Sequence, residues 1–187
     1  MDKLFGNLHL VLGIGILLAI AIMFEPSFQP AMGTLNGVFQ WLHVFFAITW
    51  IGLLYYFNFV QIPTMPTIPA ELKPGVSKYI APKALFFFRW AAAFTVLTGL
   101  ILAHLYHELT EALTLQESAR LIGIGMYLAL IMAANVWFVI WPNQKKALGI
   151  VPAEDAVKAK AAKTAMYASR INTMLSIPML LCMTNMH

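Results

Sequence analysis

The stretch from Trp41 to Pro66, WLHVFFAITWIGLLYYFNFVQIPTMP, constrains the chain most, because it carries no formal charge from end to end. About 20 apolar residues, each rising about 1.5 Å, cross a bilayer as a helix. One face of such a helix begins at His43, passes over Trp50 and ends at Asn58 and Gln61. Polar groups in a membrane helix face protein or a cofactor rather than lipid. This face is therefore predicted to point inward.

The composition indicates an integral membrane protein of the all-α class. Of its 187 residues, 60% are hydrophobic and 11% are charged, whereas a soluble domain has about 25% charged residues. The single cysteine, Cys182, excludes an internal disulfide and a cysteine-bound cluster. The absence of C-x-x-C-H excludes covalently attached c-type haem. We interpret the net charge of +4 as a topology signal and expect no nucleic-acid partner.

Five apolar segments predict a five-helix membrane bundle that forms a single transmembrane domain, residues 1–187. The predicted spans run from about Leu8 to Phe24, Val38 to Ile62, Pro82 to Tyr106, Ser118 to Trp141 and Ala165 to Met183. The first is expected to be an uncleaved anchor, because its small-residue cleavage sites are poor. Pro142 is expected to end the fourth span, because proline cannot continue the helical hydrogen bonds. The Ala- and Lys-rich stretch from Ala153 is expected to extend the fifth helix.

The lysine distribution predicts the orientation of these spans. With five spans, the N-terminus, the second loop and the fourth loop share one side of the membrane. The basic residues on that side are Lys3, Lys73, Lys78, Lys83, Lys145, Lys146, Lys158, Lys160 and Lys163. Because lysine and arginine accumulate on the cytoplasmic side, the N-terminus is predicted to be cytoplasmic and the C-terminus periplasmic. The predicted location is the bacterial inner membrane.

Two histidines are predicted to lie at one depth near the outer surface. At about 1.5 Å per residue, His43 lies about 7 Å inside the second span and His104 about 5 Å inside the third. A haem b with two histidine ligands needs this arrangement, and Trp50 with other aromatic residues suits a flat macrocycle. His107, one turn further out, is a weaker candidate. The histidines could instead be interfacial groups bonded to water.

Copper is an alternative to haem at this outer level. Met183, Met186 and His187 are predicted on the same side, and thioethers are suitable ligands for Cu(I). Methionine is also a common packing residue.

A second polar level is predicted near the cytoplasmic face. It contains two arginines and several amides, namely Arg89, Arg170, Asn58, Gln61, Asn135, Asn143 and Asn172. The two arginines could hold an anionic group such as a cofactor carboxylate. They could also extend to the lipid headgroups. Arg89 lies about 22 Å along the helix from His104, so a haem bound at His104 does not reach Arg89.

A stripe of small residues in the fourth span predicts close helix packing. Gly125, Ala129 and Ala133 follow one another at four-residue spacing, which lets two backbones approach. This stripe also motivates a different hypothesis, in which the chain is a cofactor-free structural or accessory subunit of a larger membrane complex. An oligomer or a complex is expected in either case.

Four segments of the chain resemble the membrane domain of the bacterial cytochrome-c-linked urate oxidases, or urate hydroxylases. They are WLHVFFAITWIGLLYYFNFVQIP, FFFRWAAAFTVLTGLIL, NVWFVIWPNQKKALGI and YASRINTMLSIPMLLCM. Leu42 and His43, followed by Trp50 and Tyr55, are more distantly similar to the haem-binding membrane protoporphyrinogen oxidases.

The two resemblances imply a function. The first implies a redox membrane protein that passes electrons to cytochrome c, and an oxidoreductase of the urate oxidase type if the chain is an enzyme. The second implies haem b with His43 as a ligand. Together with the histidine pair, they lead to the hypothesis of a haem b protein that transfers electrons or oxidises a small aromatic substrate.

Overall fold

The computed structural model describes residues 7–25 and 33–184, and all regular secondary structure in these residues is helical. The helices are α1 Leu8–Met23, α2 Thr34–Thr67, α3 Lys73–Leu105, α4 Leu109–Leu113, α5 Glu117–Ala147 and α6 Asp155–Thr184. The all-α class is therefore confirmed. The chain divides into two compact units, of which the first ends at Val38 and the second begins at Phe39.

Three of the described helices, α2, α3 and α5, are long and apolar enough to cross a membrane. This finding is consistent with a membrane protein. Helix α1 is apolar but has 16 residues, fewer than the roughly 20 that a perpendicular span needs. Helix α6 begins at Asp155, which confirms that the Ala- and Lys-rich stretch extends the fifth helix. The count of five spans and the single-domain organisation stay predictions.

Each of the three long helices contains a π-helical segment that ends two residues before a proline. The segments are Tyr56–Gln61, Val76–Ile80 and Val136–Ile140, and the prolines are Pro63, Pro82 and Pro142. Proline lacks an N–H group and its ring clashes with the carbonyl four residues earlier. A π turn widens the backbone at that point, so the helix can continue beyond the proline.

The prediction that Pro142 ends the fourth span is therefore wrong. Helix α5 passes through Pro142 and continues to Ala147. Pro142 lies in the first turn of the α-helical segment that follows the π turn, where a backbone N–H is not required.

The inward face predicted for the second span forms part of the core of the second unit. Trp50, Leu54 and Phe57 are buried and pack with residues of α3, α5 and α6. On the opposite face, Ile48 and Phe59 are 68% and 64% exposed. Ile51, which has the helical position of that opposite face, is only 6% exposed and packs in the same core. The division between a buried and an exposed face is therefore confirmed for Ile48 and Phe59 but not for Ile51.

The small-residue stripe of α5 packs against α6 of the same chain. A Cβ atom added at Gly125 would lie 2.9 Å from Cβ of Cys182, so the two backbones approach closely there. Ala129 and Ala133 are also buried. The predicted close packing is confirmed, and the partner of the stripe is another helix of the same chain.

The lysine-rich segments lie together at one end of the second unit. The Trp137 indole on α5 donates a 3.2 Å hydrogen bond to the backbone carbonyl of Arg89, in the middle of α3. The beginning of α6 packs against residues Trp141–Ala147. Near the start of α5, a Cβ atom added at Gly123 would collide with the carbonyl of Ala112 in α4, which directly follows α3. Helices α3 and α5 are therefore antiparallel, and α3 begins near the end where α5 finishes and α6 starts. Whether this end faces the cytoplasm stays a prediction.

Candidate cofactor site

An apolar cavity of about 590 Å³ opens within the second unit, bounded by α2, α3, α5 and α6. This volume is within the range of small-molecule and cofactor sites. Most of the lining is aliphatic or aromatic, and the few hydrogen-bonding groups include His43, Trp50, Gln40 and Tyr106. The cavity lies towards the end opposite the lysines, because it is bounded by the beginning of α2 and the end of α6.

The imidazole of His43 is held through Nδ1, and its other ring nitrogen, Nε2, has no hydrogen-bond partner within residues 7–25 and 33–184. Its Nδ1 atom lies 2.9 Å from the backbone carbonyl of Thr95 on α3. A carbonyl only accepts hydrogen bonds, so Nδ1 carries the hydrogen. In the neutral ring, Nε2 then carries the lone pair. Metal-ligating histidines commonly have this arrangement, in which a carbonyl fixes the ring orientation and the tautomer.

Gly99 provides the space that the His43 ring occupies. A Cβ atom at this position would lie 2.8 Å from Cε1 of His43 and 3.1 Å from Nδ1. Gly99 and Thr95 are four residues apart on α3, so they lie on the same face. One face of α3 therefore positions the His43 ring, through the hydrogen bond to the Thr95 carbonyl and the space beside Gly99.

Trp50 lines the same cavity and carries a buried hydrogen-bond donor. Its side chain is 0% exposed, and its Nε1–H group has no hydrogen-bond partner within residues 7–25 and 33–184. A buried donor without a partner costs about 1–3 kcal/mol. A bound molecule with an acceptor atom would remove this cost.

The predicted second ligand, His104, does not line this cavity. Its side chain is exposed near the C-terminal end of α3. The structure thus does not bring His43 and His104 together in the cavity, and the bis-histidine pair stays a prediction. The matched depths of the two histidines did not reveal their separation, because depth along a helix does not determine which face a side chain occupies.

His107 has a structural role at the end of α3. Its φ is 60°, and its N–H donates to the carbonyl of His104 at 3.0 Å. The next N–H, of Glu108, donates to the carbonyl of Ala103 at 3.0 Å. This pattern is a Schellman cap with His107 at the left-handed position that glycine usually occupies.

Three methionines line the cavity with His43, namely Met126, Met179 and Met183. Met183 lies against Gly125, where an added Cβ atom would be 3.2 Å from its Cε and 3.6 Å from its Sδ. Met186 and His187, which were considered as copper ligands, lie outside the described residues. Within residues 7–25 and 33–184, no group of three or more His, Cys, Asp or Glu side chains could hold a metal ion.

The inner polar level contains a hydrogen-bonded amide network centred on α6. Asn172 is fully buried, and its Nδ2 donates to the carbonyl of Met132 at 2.9 Å. Its Oδ1 accepts from Nδ2 of Asn135 at 2.7 Å. Asn58 donates to Oγ of Ser169 at 2.8 Å. These bonds connect α2, α5 and α6 at one level.

The two arginines of the inner level have different surroundings. The Arg89 guanidinium lies 3.8 Å from the centre of the Trp141 ring, and its Nη1 donates to the carbonyl of Leu85 at 3.4 Å. Arg170 is exposed on α6. Neither lines the cavity that contains His43. A role for either arginine in cofactor binding stays a prediction.

Sequence reasoning identified His43 and Trp50, considered Met183 only as a copper ligand, and missed the roles of Thr95 and Gly99. The available signal was the Thr–Gly pair at four-residue spacing on α3. Threonine and glycine at that spacing are common in membrane helices, and only the packing of α2 against α3 shows that they meet a histidine.

Comparison with known proteins finds a similarity to one protein family over part of the chain. The model of the urate oxidase N-terminal family matches residues 106–187, which contain α4, α5 and α6. No curated protein and no solved structure matches the chain. The matched part includes Met183 and Arg170 but excludes His43 and Arg89. The similarity to protoporphyrinogen oxidases stays a prediction. The family match supports a relation between this chain and the urate oxidases, and it suggests a urate-oxidase-related function.

Proposed function

We propose that the chain is a haem b-binding redox protein of the bacterial inner membrane, with Nε2 of His43 as an axial ligand. The observation that carries the proposal is the His43 imidazole, which lines a large apolar cavity. Its Nδ1 is bonded to the Thr95 carbonyl, and its Nε2 has no hydrogen-bond partner among the described residues. A histidine that only packs in a core needs neither a glycine gap nor an adjacent cavity.

The residues around the cavity fit a macrocycle better than a single metal ion. A volume of about 590 Å³ is far larger than an ion with side-chain ligands needs, and the apolar lining suits a porphyrin. Two groups offer partners for polar substituents. One is the Trp50 N–H, which has no partner in the described part of the chain, and the other is the Tyr106–Gln40 pair, in which the hydroxyl lies 3.5 Å from Oε1. Copper would use the sulfur atoms but would leave most of the volume unfilled.

Each residue has a separate role in this proposal. Thr95 orients the ring and fixes the hydrogen on Nδ1, Gly99 makes room for the ring, and the aliphatic lining excludes water. Haem b, when bound, supplies a one-electron redox centre. Cytochrome c is the proposed electron acceptor and a small aromatic compound the proposed donor. Oxidising such a donor by two electrons reduces two molecules of cytochrome c.

The test is cofactor analysis of the full chain purified from cells with sufficient haem. We expect a pyridine haemochrome spectrum of b type, and metal analysis that finds iron and no stoichiometric copper. His43→Ala should lose the haem, whereas His9→Ala, which changes an exposed histidine on α1, should retain it.

An imidazole rescue distinguishes ligand loss from misfolding. His43→Gly should regain haem when imidazole is added, because the free ring can occupy the space beside Gly99. Full haem content in His43→Ala, or copper without haem in the unmodified protein, would overturn the proposal.

A further inference from the structure

We propose that the Sδ atom of Met183 is the second axial ligand of the haem that His43 binds. This inference rests on the function proposed above and assigns a ligand pair from α2 and α6. It replaces the pair of His43 and His104 that the sequence predicts.

The cavity contains sulfur but no second imidazole among the residues that line it. His104 is exposed and outside the lining, whereas Met126, Met179 and Met183 all line it with His43. A thioether is an established axial ligand of haem iron when paired with histidine. It carries no charge, so it can remain in an apolar cavity without the cost of burying an ion.

Among the three methionines, Met183 has the surroundings of a positioned ligand. Its sulfur and terminal methyl lie against Gly125, which leaves space beside α5. His43 lies against Gly99 on α3 in the same way. The two side chains with suitable donor atoms thus each occupy a gap that a glycine provides. Met126 and Met179 are buried members of the core clusters, whereas Met183 is partly buried and packs against the edges of both clusters.

Methionine ligation has a functional consequence. Pairing histidine with methionine raises the reduction potential of a haem relative to two histidines. A higher potential favours the acceptance of electrons from an organic donor and brings the centre closer to the potential of cytochrome c, which often has the same ligand pair. The ligand set would then match the proposed direction of electron transfer.

The experiment is spectroscopy of the purified, haem-loaded full chain. We expect the ferric protein to show the near-infrared charge-transfer band of a thioether ligand in magnetic circular dichroism. Met183→Leu should remove this band and lower the reduction potential while retaining haem through His43. Met179→Leu and Met126→Leu are matched controls that should keep the band, and His104→Ala should leave the spectrum unchanged.

The outcomes separate this inference from the proposed function. If the protein binds no haem, the proposed function fails and the inference fails with it. If haem is bound but the spectrum is that of two imidazoles and His104→Ala alters it, the proposed function stands and the Met183 assignment is wrong. If the band persists in Met183→Leu and disappears in Met179→Leu or Met126→Leu, the sulfur ligand is another methionine and the assignment is also wrong.

Discussion

Replacing Gly99 with alanine tests the proposed role of α3 in positioning His43. The new Cβ atom would lie 2.8 Å from Cε1 of His43, whereas ordinary contacts are 3.4–4 Å. The ring must therefore move by several tenths of an ångström. Its Nδ1 is anchored to the Thr95 carbonyl at 2.9 Å, so the movement strains or breaks this hydrogen bond.

The expected energy change is a balance of three terms. Overpacking a close contact costs about 1–3 kcal/mol, and losing a hydrogen bond costs about 1 kcal/mol. Alanine stabilises a helix interior by about 0.5–1 kcal/mol relative to glycine. We expect the free energy of unfolding of the haem-free Gly99→Ala protein to fall by about 1–3.5 kcal/mol in detergent. The displaced Nε2 should weaken haem binding at least about tenfold, which corresponds to about 1.4 kcal/mol.

The assay is thermal unfolding of the haem-free protein beside a haem titration followed at the Soret band. Gly75→Ala is the matched control, because it lies on the same helix and a Cβ atom there meets nothing within 4 Å. It should keep the haem affinity of the unmodified protein. Unmodified stability and unmodified affinity in Gly99→Ala would refute the positioning argument.

Three further predictions concern the cap at the end of α3 and the inner polar level. His107→Gly should stabilise the protein by about 1 kcal/mol in thermal unfolding, because glycine adopts the left-handed conformation without the penalty of a side chain; a loss of stability would contradict the cap assignment. Asn172→Ala should destabilise by about 1–2 kcal/mol in the same assay, because it removes the amide that connects α5 to α6. Arg89→Lys should destabilise by about 0.5–1 kcal/mol through loss of stacking on Trp141. Arg170→Lys, its exposed control, should be neutral, and equal effects of the two lysine variants would argue against the stacking.

The sequence alone determined the helical class and the inward face of the second span. Both follow from local properties, because charge-free apolar runs favour helices in an apolar solvent and period-3.6 patterns assign residues to faces. The buried Trp50 and Leu54 and the exposed Ile48 agree with that reasoning. The small-residue spacing of α5 likewise predicted a close helix contact. It could not tell whether the partner helix belonged to the same chain.

Only the tertiary structure decided what His43 meets. Residue 43 is far in sequence from residues 95 and 99, which it contacts, and from residue 183, which lines the same cavity. These placements depend on the rotation of each helix about its own axis. A shift of one residue turns a helix by about 100°. The predicted depths therefore placed His104 level with His43, although the His104 side chain lies on a different face of α3 from the cavity. The prolines show the same limit of reasoning from local sequence. From the local sequence, Pro142 was predicted to end a helix. Helix α5 continues because a π turn in residues 136–140 widens the backbone before the proline, and because tertiary packing holds both segments in one bundle.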